Sequence, residues 1–250
     1  MALSFYGGSM KYLLLIVLVS GLAEAQLYPR WFLTQDQVKC KRKVVTVMKA
    51  PSLYADSAVA LGFRTACDLL AKYTNVNIKG GQAFWTTEAG VHSMGASYTE
   101  SYDIELGDFF QTKLKVIDAF YDSKKTIVLA GDSSSCSLSE ELKEKVSMES
   151  VKRPSWVEDL PSDQRTVYGV GTSEEYYYES SSWQRAEHNA VMSLARSTRS
   201  SLVSMQKKNA IESQDLFNED VDVDLQNIQI VARWRDVKNK VFYVLARTTL

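Results

Sequence analysis

Two stretches of this chain carry the same pattern, and that pattern limits the fold more than any other feature. Residues 114–122 (Leu-Lys-Val-Ile-Asp-Ala-Phe-Tyr-Asp) run into a polar Ser-Lys-Lys turn and return as Ile127-Val128-Leu129-Ala130. Residues 228–236 run into Val-Lys-Asn-Lys and return as residues 241–247 (Val-Phe-Tyr-Val-Leu-Ala-Arg). Aligning Asp122 with Asp236 sets Phe120 on Trp234, Val116 on Ile230 and Leu114 on Ile228, all on one face of a strand of period two. Two such runs joined by a polar turn predict a β-hairpin at the end of each half.

The repeat extends upstream. Pro29-Arg30-Trp31 answers to Pro154-Ser155-Trp156, and each is followed by a β-branched run, Val44-Val45-Thr46-Val47-Met48 and Thr166-Val167-Tyr168-Gly169-Val170. An Ala-rich amphipathic helix comes next in both halves. Val59, Phe63, Ala66, Leu70 and Tyr73 recur at spacings of three and four, as do Ala186, Ala190, Val191, Leu194 and Leu202. A one-sided helix needs a sheet to cover, so the fold class is α+β: a tandem of two similar modules, each a small antiparallel sheet packed by a long helix. The modules span residues 26–131 and 154–250. Between them, Gly131-Asp132-Ser133-Ser134-Ser135 is a loop signal, and residues 140–148 are highly charged, with Leu142 and Val146 spaced as on a short helix; residues 132–153 read as a linker. The polar stretches at 90–101 and 174–182 read as long connections or hairpin tips.

At the N-terminus, Met10-Lys11 precedes the apolar run 13–19, and Ala23-Glu24-Ala25 follows. A basic start, a short apolar core and small residues two apart describe a signal peptide, residues 1–25, cut between Ala25 and Gln26, with translation starting at Met1 or Met10. The run falls short of the roughly 20 apolar residues of a membrane-spanning helix. Gln26 stands where a lipoprotein would carry its lipid-bearing Cys, so the expected product is periplasmic or secreted, without a lipid anchor or transmembrane span. Export means an oxidising compartment for Cys40, Cys67 and Cys136. Cys67 sits in an apolar helical pattern and reads as a core residue. Cys40 and Cys136 flank the first half and could close it, but sequence does not give their distance, and the pairing among the three stays open.

Little in the sequence points to catalysis. A formal charge of −1 offers no excess of cations for a phosphate backbone, so nucleic acid is not an expected partner. Three Cys and two His are too few for a zinc framework. Gly169-Val170-Gly171 lacks the third glycine of a dinucleotide loop and reads as backbone relief at a strand end. His92 and His188 are isolated, one in each half, and a base without a nucleophile and an orienting group does little chemistry. Asp220, Asp222 and Asp224 alternate as calcium ligands can, yet the glycine and closing Glu of a calcium loop are missing, and Val221 and Val223 between them suit a strand with one wet face. No catalytic, metal or cofactor residues are therefore assigned. Tyr176, Tyr177 and Tyr178, flanked by acids and close to Trp183, suit a protein interface, where rigid rings give contact area at low entropic cost; the alternative is that the cluster packs over the helix end. The closing strand around Val244 reads as an apolar edge that a neighbouring subunit would cover by strand addition.

The second half resembles a known family. Pro154-Ser155-Trp156, Tyr168-Gly169-Val170-Gly171, a helix ending Leu194-Ala195-Arg196, then Val231-Ala232-Arg233-Trp234 and Val244-Leu245-Ala246-Arg247 are similar to the Lpp-twenty lipoprotein family, which includes the N-terminal domain of flagellar assembly protein T and flagellar protein P. The resemblance implies a small α+β module of the bacterial envelope, in outer-membrane lipoproteins or ring-forming parts, with no catalytic residues to carry over; the first half reads as a divergent copy. The resulting expectation is an exported, non-enzymatic envelope protein that works through contacts with other envelope proteins or with itself. The alternative is a periplasmic module that binds a small ligand or glycan, with Trp31, Trp85 and the Tyr176 cluster as stacking surfaces. Intact-mass measurement on protein from its native host should give a chain beginning at Gln26 without a lipid adduct. A retained 1–25 segment would contradict the export reading.

Overall fold

The computed structural model describes residues 26–40, 43–87, 90–163, 165–207 and 219–249, so the expected signal peptide, residues 1–25, lies outside the described residues. β1 (Leu27–Pro29) leads into the single-turn helix α1 (Arg30–Leu33), then β2 (Lys39–Cys40), β3 (Val45–Lys49), α2 (Ala55–Thr74), β4 (Asn75–Thr87), β5 (Gly90–Ser101), α3 (Glu105–Lys113), β6 (Lys115–Tyr121) and β7 (Thr126–Gly131). The chain continues through β8 (Cys136–Ser137), α4 (Glu140–Lys143) and β9 (Lys145–Ser147) to β10 (Thr166–Glu174), α5 (Glu179–Lys207), β11 (Glu219–Gln226), β12 (Gln229–Asp236) and β13 (Val241–Thr249). The fold is α+β, with several small antiparallel sheets.

Both expected hairpins form, and each is completed by the strand before the long helix. The sheets have the orders β3-β7-β6 and β10-β13-β12. A bulge falls between Val116 and Asp118 in one and between Ile230 and Ala232 in the other, at positions that coincide when Asp122 is set on Asp236. Phe120 and Trp234 occupy matching places and are both buried. In each sheet the strand that returns from the turn lies in the middle. The reading of the Val244 strand as an edge is therefore corrected: β13 is hydrogen-bonded to β10 on one side and β12 on the other. Its Val, Phe and Leu side chains are apolar because a central strand is buried, and no strand from a neighbour is needed there.

α2 lies on β3 and β7, and α5 on β10 and β13. The helix–sheet spacing in the second half depends on Gly169 and Gly171. A Cβ at Gly171 would stand 2.1 Å from the carbonyl oxygen of Ala186 and 2.1 Å from the backbone nitrogen of Ala190; at Gly169 it would stand 2.6 Å from the carbonyl oxygen of Ala190. These glycines let the helix backbone touch the strand, which corrects their reading as strand-end relief. In the first half Val45 and Val47 hold the matching strand positions, packed on Ala66, Cys67 and Leu70. There the small residue is on the helix instead: a Cβ at Gly62 would meet Val128 at 2.6 Å.

The halves interlock. β11 of the second half pairs with β4 of the first, giving a third sheet, β11-β4-β5. One hydrophobic cluster draws on both, from Met48, Tyr73 and Ile78 to Trp183, Leu194 and Phe242. Residues 132–153, read as a linker, are fastened to the N-terminal segment: β8 pairs with β2, where Cys40 and Cys136 form a disulfide, and β9 pairs with β1. Leu142 is buried as its spacing suggested, although the helix stops at Lys143 and Val146 continues as strand. Cys67 is a buried free thiol, pushed up to about 11 by burial and then by Asp68, in keeping with a core role.

At the centre of the junction, the Arg233 guanidinium donates to Glu187 Oε1 from Nε at 2.9 Å and from Nη2 at 2.8 Å, and from Nη1 to the Phe32 carbonyl at 2.8 Å and to Gln35 Oε1 at 3.3 Å. The same Gln35 oxygen accepts from Thr46 Oγ1 at 2.6 Å. Arg233 also lies over the Phe32 ring, 4.3 Å from its centroid. Both charges are buried, so removing one leaves the other unpaired in a poorly solvated place. Glu187→Leu should cost about 3–5 kcal/mol in urea unfolding, and Glu187→Leu/Arg233→Met should recover most of that loss. Equal losses in the single and double variants would show that the pair is not what matters at this position.

Candidate functional site

The connection from β10 to α5 carries the three tyrosines, and two acids fix it at its ends. Glu175 forms an ion pair with the buried Arg235 and accepts a second cation, Lys240, at 3.3 Å. Glu179, in the first turn of α5, accepts from Trp183 Nε1 at 3.0 Å and from the Tyr28 hydroxyl, and pairs with Lys125 Nζ at 3.1 Å. Lys125 is itself buried, with its ammonium 4.1 Å from the Tyr28 ring centroid. Between these anchors the Tyr176 backbone N–H donates to Ser182 Oγ at 2.8 Å, tying the loop to the helix. A sequence of acid, three tyrosines, acid thus becomes a short loop held from below by cations of one strand and two hairpin turns.

What the loop presents is aromatic. Tyr177 is 94% exposed, and Tyr176 and Tyr178 are about half exposed. Tyr177 and Tyr178 meet edge to face at 4.9 Å, which limits the freedom of both rings. Trp183, expected beside them at the surface, is instead buried beneath the loop, edge-on to Phe32 at 5.5 Å and to Phe242 at 4.8 Å. Its spacing along α5 marks a core position; proximity in sequence to the tyrosines was misleading. Val244 is likewise internal and contributes no surface.

The remaining candidates fall elsewhere. Trp31 is fully buried and donates to Asp118 Oδ2 at 3.0 Å, so it offers no stacking face, and the Trp85 and His92 side chains lie outside the described residues. Asp222 and Asp224 both accept from the Asn77 amide, at 3.1 and 2.9 Å, and Asp222 pairs with Lys79 at 3.4 Å. Hydrogen bonding from Asn77, then the Lys79 ammonium, hold the Asp222 carboxyl below its usual range, the behaviour of an acid on a wet strand face. No group of three or more metal-ligating side chains occurs among the described residues, and no described helix is long and apolar enough to cross a membrane.

His188 is not isolated, contrary to the sequence reading. Its Nδ1 stands 3.2 Å from Glu100 Oε1, and Glu100 also pairs with Lys72. Burial alone would raise the Glu100 carboxyl, but His188 and Lys72 outweigh it and pull it down to about 2. These contacts cross from α5 to β5 and α2, a juxtaposition that no local spacing shows.

Residues 154–249 match the family model described as LPP20 lipoprotein. No curated protein and no solved structure matches the chain.

The tyrosine loop separates surface from support in a measurable way. Tyr177→Ala and Tyr178→Ala should each change unfolding free energy by no more than about 0.5 kcal/mol, as exposed substitutions do. Glu179→Ala, which strips the buried Lys125 of its anion, should cost about 3–5 kcal/mol. Chemical denaturation of the three variants checks both values, and a large loss at Tyr177 would show that the ring supports the fold.

Proposed function

We propose that this chain is an exported envelope protein that works through protein contacts rather than catalysis, with the Tyr176–Tyr178 loop as its contact surface. The observation that carries the reading is the exposure of three adjacent tyrosines on a loop fastened at both ends by acid–base contacts, Glu179 with the buried Lys125 and Glu175 with the buried Arg235. Exposed rings held in place lose little freedom on docking, which is why tyrosine is enriched at interfaces. The match of residues 154–249 to the LPP20 lipoprotein model supports an envelope location, and the Cys40–Cys136 disulfide suits an oxidising compartment outside the cytoplasm. Cleavage between Ala25 and Gln26 and a soluble product without a lipid anchor belong to the same reading. A non-catalytic role is supported by the way the central charges are consumed, Glu187 by Arg233 and Glu179 by Lys125 and Trp183.

The partner is an envelope protein or a second copy of the chain. A photo-crosslinking residue placed at Tyr177 should give one discrete adduct in intact cells, and mass spectrometry of that adduct separates self-association from a second protein. The same group placed at Lys238, on the exposed turn before β13, serves as the control and should give none. A smear of unrelated adducts at both sites would overturn the assignment of the loop as a contact surface.

A further inference from the structure

On the flank of α5 beside the sheet it covers, where Asn189 donates to the Thr172 carbonyl of β10, residues at spacings of three and four (Arg185, His188, Asn189, Met192 and Arg196) line an open cavity of about 420 Å³ whose far wall is Tyr98 of β5. The volume is that of a site for a small molecule. We propose that this groove binds a small hydroxylated organic acid of about monosaccharide size, a sugar acid being the simplest example.

Four observations carry the assignment. Arg185 is exposed and has no ion-pair partner among the described residues, so a guanidinium at the cavity wall is ready to take a carboxylate in the two-pronged geometry that suits it. The Tyr98 hydroxyl is closed off from solvent without a hydrogen-bond partner at the cavity wall, and a small swing of its side chain into the cavity would let a ligand hydroxyl supply one. His188 forms the wall between this cavity and a narrower one of about 210 Å³, and its Nδ1 faces Glu100, which leaves Nε2 for the ligand. Met192, buried in the floor, gives an apolar contact for a ring face. Cation, hydroxyl partner and apolar floor within one cavity fit a molecule that bears a carboxylate and hydroxyls together, and fit an uncharged sugar or a bare anion less well.

The test uses the mature chain and D-glucuronate, with glucose and inorganic phosphate as comparisons, followed by isothermal titration and by backbone amide spectra. Glucuronate should bind and shift the amides around Tyr98, Arg185 and His188. Glucose should bind about tenfold or more weakly, because it lacks the charge-assisted contact. Arg185→Ala, at an exposed position, should weaken glucuronate by about tenfold or more and leave thermal melting unchanged. Tyr98→Phe should weaken glucuronate without altering phosphate binding. Equal binding of glucose and glucuronate, no loss in Arg185→Ala, or phosphate binding as tightly as glucuronate at the same amides would each overturn the proposal. The groove shares no residue with the tyrosine loop, so its failure would leave the contact-surface reading as it stands.

Discussion

The buried Arg233–Glu187 pair is the interaction on which the joining of the two halves depends. Glu187 belongs to the long helix of the second half, Arg233 to its hairpin, and the Nη1 protons are taken by Phe32 and Gln35 of the N-terminal segment. Gln35 in turn accepts from Thr46 in β3 and donates to the Val44 carbonyl just before it, in the first half. A charge placed this deep is tolerated only when its donors are matched, and here matching them requires groups from both halves. A non-polar junction would allow several packings of similar energy; a guanidinium with four assigned acceptor contacts allows far fewer.

Around that pair the two halves solve one packing problem in opposite ways. A helix can approach a sheet closely only where one surface gives up side-chain volume. The second half gives it up on the strand, with Gly169 and Gly171 under Ala186 and Ala190. The first half gives it up on the helix, with Gly62 over Val128, and keeps valines at 45 and 47. Similar topology with reciprocal small residues explains why the two helices, compared residue by residue, look less alike than the hairpins.

The hairpins, their matched aromatic positions and the one-sided helices were legible because period-two and period-3.6 patterns are local. Strand order was not. Whether Val244 lies at an edge is decided by β10, far earlier in the chain, and an apolar run looks the same whether a neighbour or its own sheet covers it. Trp183 was misplaced for a related reason, since closeness in sequence to Tyr178 says nothing about depth. The tyrosines themselves were legible as a surface, whereas their anchors were not: in the sequence Glu175 and Glu179 are only flanking acids, and their partners Arg235, Lys240 and Lys125 come from distant elements. The groove beside α5 was invisible because it needs β5 to stand opposite Arg185.

The disulfide between Cys40 and Cys136 has a mechanical meaning. It closes a loop spanning 96 positions of sequence, which includes β3, α2, the β4–β5 pair and the whole first hairpin. Tension entering at the N-terminal segment and leaving through the second half passes across the sulfur bridge and bypasses everything inside. At ~3.5 Å per extended residue, roughly 300 Å of chain is withheld from stretching. Under load such a protein lengthens only through its second half and the short tethers beside the bridge, so half of its core behaves as an inextensible knot in the line of force.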